Sequence, residues 1–166
     1  MKRWLRFTAA VLAAAFLFAL TGCGSSTNSA SFTWFVDSIP ANLDPQVASG
    51  ASDVIACENL YGTLVRKDPD GELVPGLCEK WTVSSDGLTY TFTLKDGLTY
   101  AAAKGAATEY DITAEDFVFA FRRIFRADTA SPYAVEFSAI QNSAAVLAGL
   151  ADESSLGVSA NGALSL

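Results

Sequence analysis

Three basic side chains, Lys2, Arg3 and Arg6, stand before an almost purely apolar run at positions 7–20 (FTAAVLAAAFLFAL), which gives way to a small, Ser-rich polar stretch. The run falls short of the roughly 20 apolar residues that a bilayer-spanning helix needs. A basic flank, a short apolar centre and small residues after it are the layout of a secretory leader. Positions 24–31 (GSSTNSAS) have no apolar periodicity and read as a soluble, flexible linker. The β-branched and aromatic run Ser31–Val36 (SFTWFV) then predicts a buried strand. Pro40 and Pro45 exclude helix and central strand from the segment that follows.

Asp53–Leu60 predicts a helix, with an acid at its start, apolar Val54, Ile55 and Leu60, and Gly62 placed as the left-handed residue that closes it. Thr63–Lys67 and Glu72–Val74 flank the turn Asp68-Pro69-Asp70-Gly71 and predict a hairpin. A second hairpin joins Trp81–Ser84 to Leu88–Lys95 across Asp86-Gly87. In its longer strand Leu88, Tyr90, Phe92 and Leu94 alternate with Thr89, Thr91, Thr93 and Lys95, as in a sheet with one wet face. Asp96-Gly97 turns the chain again, and the Ala-rich 100–110 (YAAAKGAATEY) reads as a loop with a helical turn. DGLTY occurs at 86–90 and 96–100, a repeated turn signal and no solenoid.

The clearest helix begins at Asp111-Ile112-Thr113. Thr113 can cap free amides, Glu115 and Asp116 occupy the positive first turn, and Phe117, Ala120, Phe121 and Ile124 recur at i, i+3, i+4 and i+7. Arg122, Arg123 and Arg126 gather at its far end, where the helix dipole favours cations. Residues 128–132 end it. Shorter helical stretches near 133–137 and 143–148 follow, then an extended 156–159, an Asn161-Gly162 turn and a last segment, 163–166.

Composition sharpens the picture in two ways. Loss of the leader removes Lys2, Arg3 and Arg6 and leaves 8 of the 11 basic residues against 18 acidic ones, a net charge near −10. Such a surface repels nucleic acid and anionic membrane. There is no histidine, which removes His-based triads, His general bases and most zinc sites. The acid pairs Glu115/Asp116 and Asp152/Glu153 are sequence neighbours whose side chains diverge on a helix. With no nucleophile elbow, phosphate-cradling loop or metal spacing, the chain predicts no enzyme, no cofactor and no metal. Cys57 and Cys78 leave two readings open. An exported chain could close them into a disulfide, or they are two buried thiols acting as small apolar side chains.

Leu20-Thr21-Gly22-Cys23 resembles the lipobox of bacterial lipoproteins. That resemblance implies cleavage after residue 22, acylation of Cys23, and a chain exported and held on the outer face of the cytoplasmic membrane. Two or more acyl chains hold a protein stably, at about 0.8 kcal/mol per buried CH₂.

Further motifs follow in a fixed order: NLDPQ (42–46), NLYGTLVRKDPDGELVPGLCEKW (59–81), SSDGLTYTFTLKDG (84–97), ITAEDFVFAFRR (112–123), DTASPYA (128–134) and LGVSA (156–160). Together they resemble the amino-terminal part of the extracellular solute-binding proteins of peptide-type ABC importers, the oligopeptide and dipeptide binders. The resemblance covers nearly all of 32–166 and implies an α+β fold, the amino-terminal part of a truncated two-lobed periplasmic-binding-protein fold (class II, cluster C-like). It divides the chain into a leader (1–22), a linker (23–31), the first strand and loop of lobe I (32–45), an additional α+β domain (46–158) and the start of a return strand to lobe I (159–166), leaving the chain incomplete.

The function implied is capture of an extracellular peptide and its delivery to permease subunits by a monomer. Relatives that take nickel chelates, haem or sugars, and a surface lipoprotein with no transport role, are the alternatives. The resemblance places Ser38, Ile39, Pro40, Ala41 and Asn42 beside an extended ligand, read through its main chain, and puts Tyr133 near the cleft. The plainer readings are that Pro40 and Asn42 shape a turn and that Tyr133 is core. Between Tyr100 and Thr113 the family usually has a short Trp-Ser-Asp-Gly loop, and the Ala-rich segment here departs from it.

Overall fold

Helix α1 (Ala51–Leu60) runs from Gly50 as its N-cap, two residues ahead of the expected start. These elements belong to a computed structural model that describes residues 33, 35–102 and 110–166. The leader, Cys23, the linker and most of the strand expected over 31–36 lie outside the described residues, as does most of 100–110.

After α1 the chain makes two antiparallel hairpins. In the first, β1 (Val65–Lys67) pairs with β2 (Leu73–Pro75), Arg66 opposite Val74. The turn forms as expected: Asp68 Oδ1 accepts from the N–H groups of Asp70 and Glu72, at 3.0 and 2.9 Å, and Gly71 takes φ +87°. In the second, β3 (Cys78–Val83) pairs with β4 (Tyr90–Leu94), with Trp81 opposite Phe92 and a bulge between Cys78 and Lys80. The single wet face expected of β4 is not seen: Thr91, Phe92 and Thr93 are all half-buried, and burial instead rises along the strand. Leu94 is 1% exposed and Tyr90 57%, because the tip of the hairpin runs clear of the core.

Two glycines between these elements serve close approach. A Cβ on Gly76 would lie 2.2 Å from the Thr63 carbonyl oxygen, so the chain can pass there only without a side chain. Gly62 is not the left-handed cap expected. Tyr61 closes α1 in an extended conformation, and a Cβ on Gly62 would meet Leu77 Cδ1 at 2.8 Å.

Helix α2 (Ala114–Ile124) opens as the sequence predicts: Thr113 N–H and Thr113 Oγ both donate to Asp116 Oδ2, at 2.7 and 3.0 Å. Its deepest residues are Ala114, Val118 and Ile124, while Phe117, Ala120 and Phe121 are half-buried. The expected stripe is thus rotated and widened, since the helix packs on more than one side. Toward the C-terminus lie a 3₁₀ turn (Ala134–Phe137), the short α3 (Ser143–Leu147) and a second 3₁₀ turn (Glu153–Ser155). Ile124, Phe125, Ala134, Val146 and Leu156 form the core there. Phe121 meets Phe137 edge to face, with ring centroids 5.9 Å apart.

The last residues pair within residues 36–166, which form one unit. Phe92 and Leu166 exchange N–H to O=C hydrogen bonds at 2.9 and 3.1 Å, and Leu94 N–H donates to Leu164 O at 2.8 Å. Segment 164–166 therefore lies along the edge of β4. Among the described residues no helix is long and apolar enough to cross a membrane.

Candidate functional site

The loop Ser38–Asn42 is held from both ends by side chains of neighbouring elements. At its start, Ser38 N–H donates to Ser52 Oγ at 3.3 Å, and the two hydroxyls lie 3.0 Å apart. In its middle, Ala41 N–H donates to Asp53 Oδ1 at 2.7 Å. Asn42 Oδ1 accepts from Asp44 N–H at 2.8 Å and Asp44 Oδ1 accepts from Gln46 N–H at 3.1 Å, two successive Asx turns. Tyr61 Oη donates to Leu43 O at 2.9 Å. Between these holds the Ile39 side chain is 90% exposed, and the Ile39 and Asn42 N–H groups have no hydrogen-bond partner among the described residues. The arrangement offers a pinned main chain and one exposed apolar side chain.

A second set of contacts fixes the turn after the loop. The Arg123 guanidinium grips Asp44 in a fork, Nη1 to Oδ1 at 3.0 Å and Nη2 to Oδ2 at 2.5 Å, and Nη1 also reaches Gln46 Oε1 at 2.9 Å. Gln46 Nε2 donates to Ala120 O at 2.7 Å, and Ser131 Oγ donates to Gln46 O at 2.6 Å. The hydrogen bonds from Arg123 hold the Asp44 carboxyl below its ordinary range against the opposing effect of burial. Arg126 forks onto Glu153, Nε to Oε2 and Nη2 to Oε1, both at 2.6 Å, and lowers the Glu153 carboxyl by the same means. It also lies over the Phe119 ring, 5.6 Å from the centroid. The arginines read as a helix-terminus feature are thus mostly ties between distant segments. Among the described residues Arg122 keeps a buried Nε without a partner.

Tyr133 is half-buried. Its hydroxyl donates to Ala48 O and its ring packs against the core around Ile124 and Phe125. Tyr133 bonds Ala48 while the 38–42 loop bonds Ser52 and Asp53, and among the described residues no hydrogen bond joins Tyr133 to the loop. The Cys57–Cys78 disulfide is not formed. Both are free, buried thiols, and burial first, then the charges of Asp53 and Asp44, raise the Cys57 thiol above its ordinary value. Among the described residues no cluster of carboxylate or Cys side chains could hold a metal.

Sequence reasoning missed Ser52, Asp53 and the Arg123 fork. The Asx turns had a local signal, Asn42 and Asp44 each two residues ahead of the N–H they accept, with Pro45 between the last two. Arg123 and Asp44 had none, being 79 positions apart.

A family model described as bacterial extracellular solute-binding proteins, family 5 Middle, matches residues 72–164. The chain belongs to that family. This family-5 chain is 35% identical over 123 residues to the periplasmic murein peptide-binding protein MppA of Escherichia coli, 73% of this chain and 22% of that protein. It is 36% identical over 123 residues to the probable deoxycholate-binding periplasmic protein YgiS of the same organism, again 73% and 22%. The solved MppA structure superposes with TM-score 0.66 over 76% of this chain and 24% of the other. Haemophilus influenzae OppA in complex with RPPGFSPFR follows at TM-score 0.65 and 31% identity, with the same coverage. The chain spans about a quarter of the length of these relatives, and its mixed helix and strand fold is part of the periplasmic-binding-protein fold.

Proposed function

We propose that this chain is the amino-terminal portion of a lipid-anchored solute-binding protein that captures peptides outside the cell for an ABC importer. Family membership supports solute binding in general. The observation that carries the peptide reading is the 38–42 loop, whose main chain is pinned from both ends yet leaves N–H groups and Ile39 free to meet an extended ligand. MppA and OppA, both similar to this chain, are named for peptides. Delivery to permease subunits, a monomeric state and acylation of Cys23 belong to the same proposal.

Cleft binders enclose most of their ligand, so residues 1–166 alone should bind a peptide no more tightly than about millimolar, a level that supplies only ~4 kcal/mol. The test is a ¹⁵N NMR titration with mixed-sequence peptides of three to nine residues. Amide shifts confined to residues 38–42 and their supports are expected, and a spectrum unchanged up to the solubility limit of the peptides would overturn the reading. YgiS and the exposed Ile39 favour a second ligand, an amphipathic steroid acid, and deoxycholate in the same titration separates the two. Intact-mass analysis of the membrane fraction tests the anchor: a diacylated chain beginning at Cys23 is expected, and an uncleaved leader with a free sulfur would refute it.

A further inference from the structure

Helix α1 is built inside out. Its buried positions are Ser52, Asp53 and Cys57, while Val54 and Leu60 are exposed at 37% and 63%. A surface helix ordinarily turns its apolar residues inward, and burying a hydroxyl and a carboxylate costs free energy unless each is hydrogen-bonded. Both are bonded, and both to the same loop. Asp53 stands three residues after the N-cap Gly50, where an acid commonly reaches back to the N-cap amide. Here no side chain caps Gly50, and Asp53 Oδ1 instead takes Ala41 N–H at 2.7 Å. Its other oxygen faces Gly50, where an added Cβ would sit 3.2 Å from it, so the missing side chain at 50 leaves the carboxylate its place. Ser52, one position earlier, takes Ser38 N–H. Two adjacent helical residues thus seize main-chain donors three residues apart and fix the segment that carries Ile39 between them.

We propose that Ser52 and Asp53 are positioning residues for the 38–42 loop, and that α1 spends its buried face on setting that loop's main chain in a ligand-ready conformation. The proposal rests on the reading of the loop as a ligand surface, and the experiment keeps the two apart. Amide exchange by NMR is measured on the full chain for wild type, S52A, D53A and D53N, followed by the peptide titration. Losing a hydrogen bond to a charged acceptor is expected to speed Ala41 exchange by about tenfold or more in D53A, and Ser38 exchange by less in S52A, with β3 and β4 amides unchanged. D53N, which keeps an acceptor oxygen in place, should restore most of the protection. The D53A titration should shift to at least several-fold higher peptide concentration. Unaltered exchange at Ala41 in D53A, or a rise shared equally by β3 and β4, would overturn the positioning role. A wild type blind to peptide would instead refute the ligand reading, while the exchange data alone still judge the clamp.

Discussion

Asp44 and Arg123 show what one pair of side chains does for this fold. The fork ties the turn after the candidate loop to the last turn of α2, with side chains about one-third exposed on each partner, 29% and 32%. At that exposure, solvent screening holds the net contribution to about 1 kcal/mol even for a bidentate geometry. The sign of its pH dependence follows from the lowered carboxyl of Asp44, to which Glu153 adds with its own. A group whose folded pKa is depressed stabilises above its unfolded pKa and loses that stabilisation as pH falls through the folded value. The melting temperature should therefore hold steady near neutrality and drop once pH falls below about 4. The D44N/E153Q double variant should start lower at pH 7 and show a flatter acid limb, as read by circular dichroism melts. An acid limb as steep as the wild type's would contradict this. Neither pair could be read from the sequence, because a local pattern reports neighbours within a turn and these partners meet only after folding.

Among the elements, α2 was the most legible and also the most instructive in error. Thr113 and Asp116 are three residues apart, so their hydrogen bonds form within a single turn and the sequence shows them directly. The orientation was a different matter. The spacing favoured Phe117, Ala120, Phe121 and Ile124, and of these only Ile124 is fully buried, whereas the structure also buries Val118 to 1% exposure and leaves Phe119 at 56%. Several partners share the helix: Ala163 O takes Ala114 N–H, Gln46 bonds Ala120 O, and Phe137 packs on Phe121. A helix gripped on several sides has no single apolar stripe to reveal. Truncation to Ala at Val118 should cost about 1–2 kcal/mol in chemical denaturation. The same change at Phe119 should cost well under that, and equal losses at the two positions would mean the register of α2 is wrong. Helix α1 was found, but its start, its cap and its inward face, which is largely polar, were misread.

For the molecule as a whole, the thiols test the packing. With Cys57 and Cys78 free and buried, a C23S variant should melt at the same temperature with and without reductant and should react slowly with thiol reagents until denatured. A drop on reduction would reveal a bond between them. The sequence by itself determined what neighbours along the chain decide: the turns at Asp68–Gly71 and Asp86-Gly87, the hairpins they close, the cap at Thr113, and a family resemblance carried by motifs in order. Only the tertiary structure decided which way α1 faces, that Arg123 and Arg126 are ties, that Tyr133 packs on the core around Ile124 and that 164–166 lies against β4. The division has one physical cause. Turn and cap energies are set within a few residues, whereas the partner of a buried polar or charged group is chosen by whatever distant segment the fold brings within hydrogen-bonding reach.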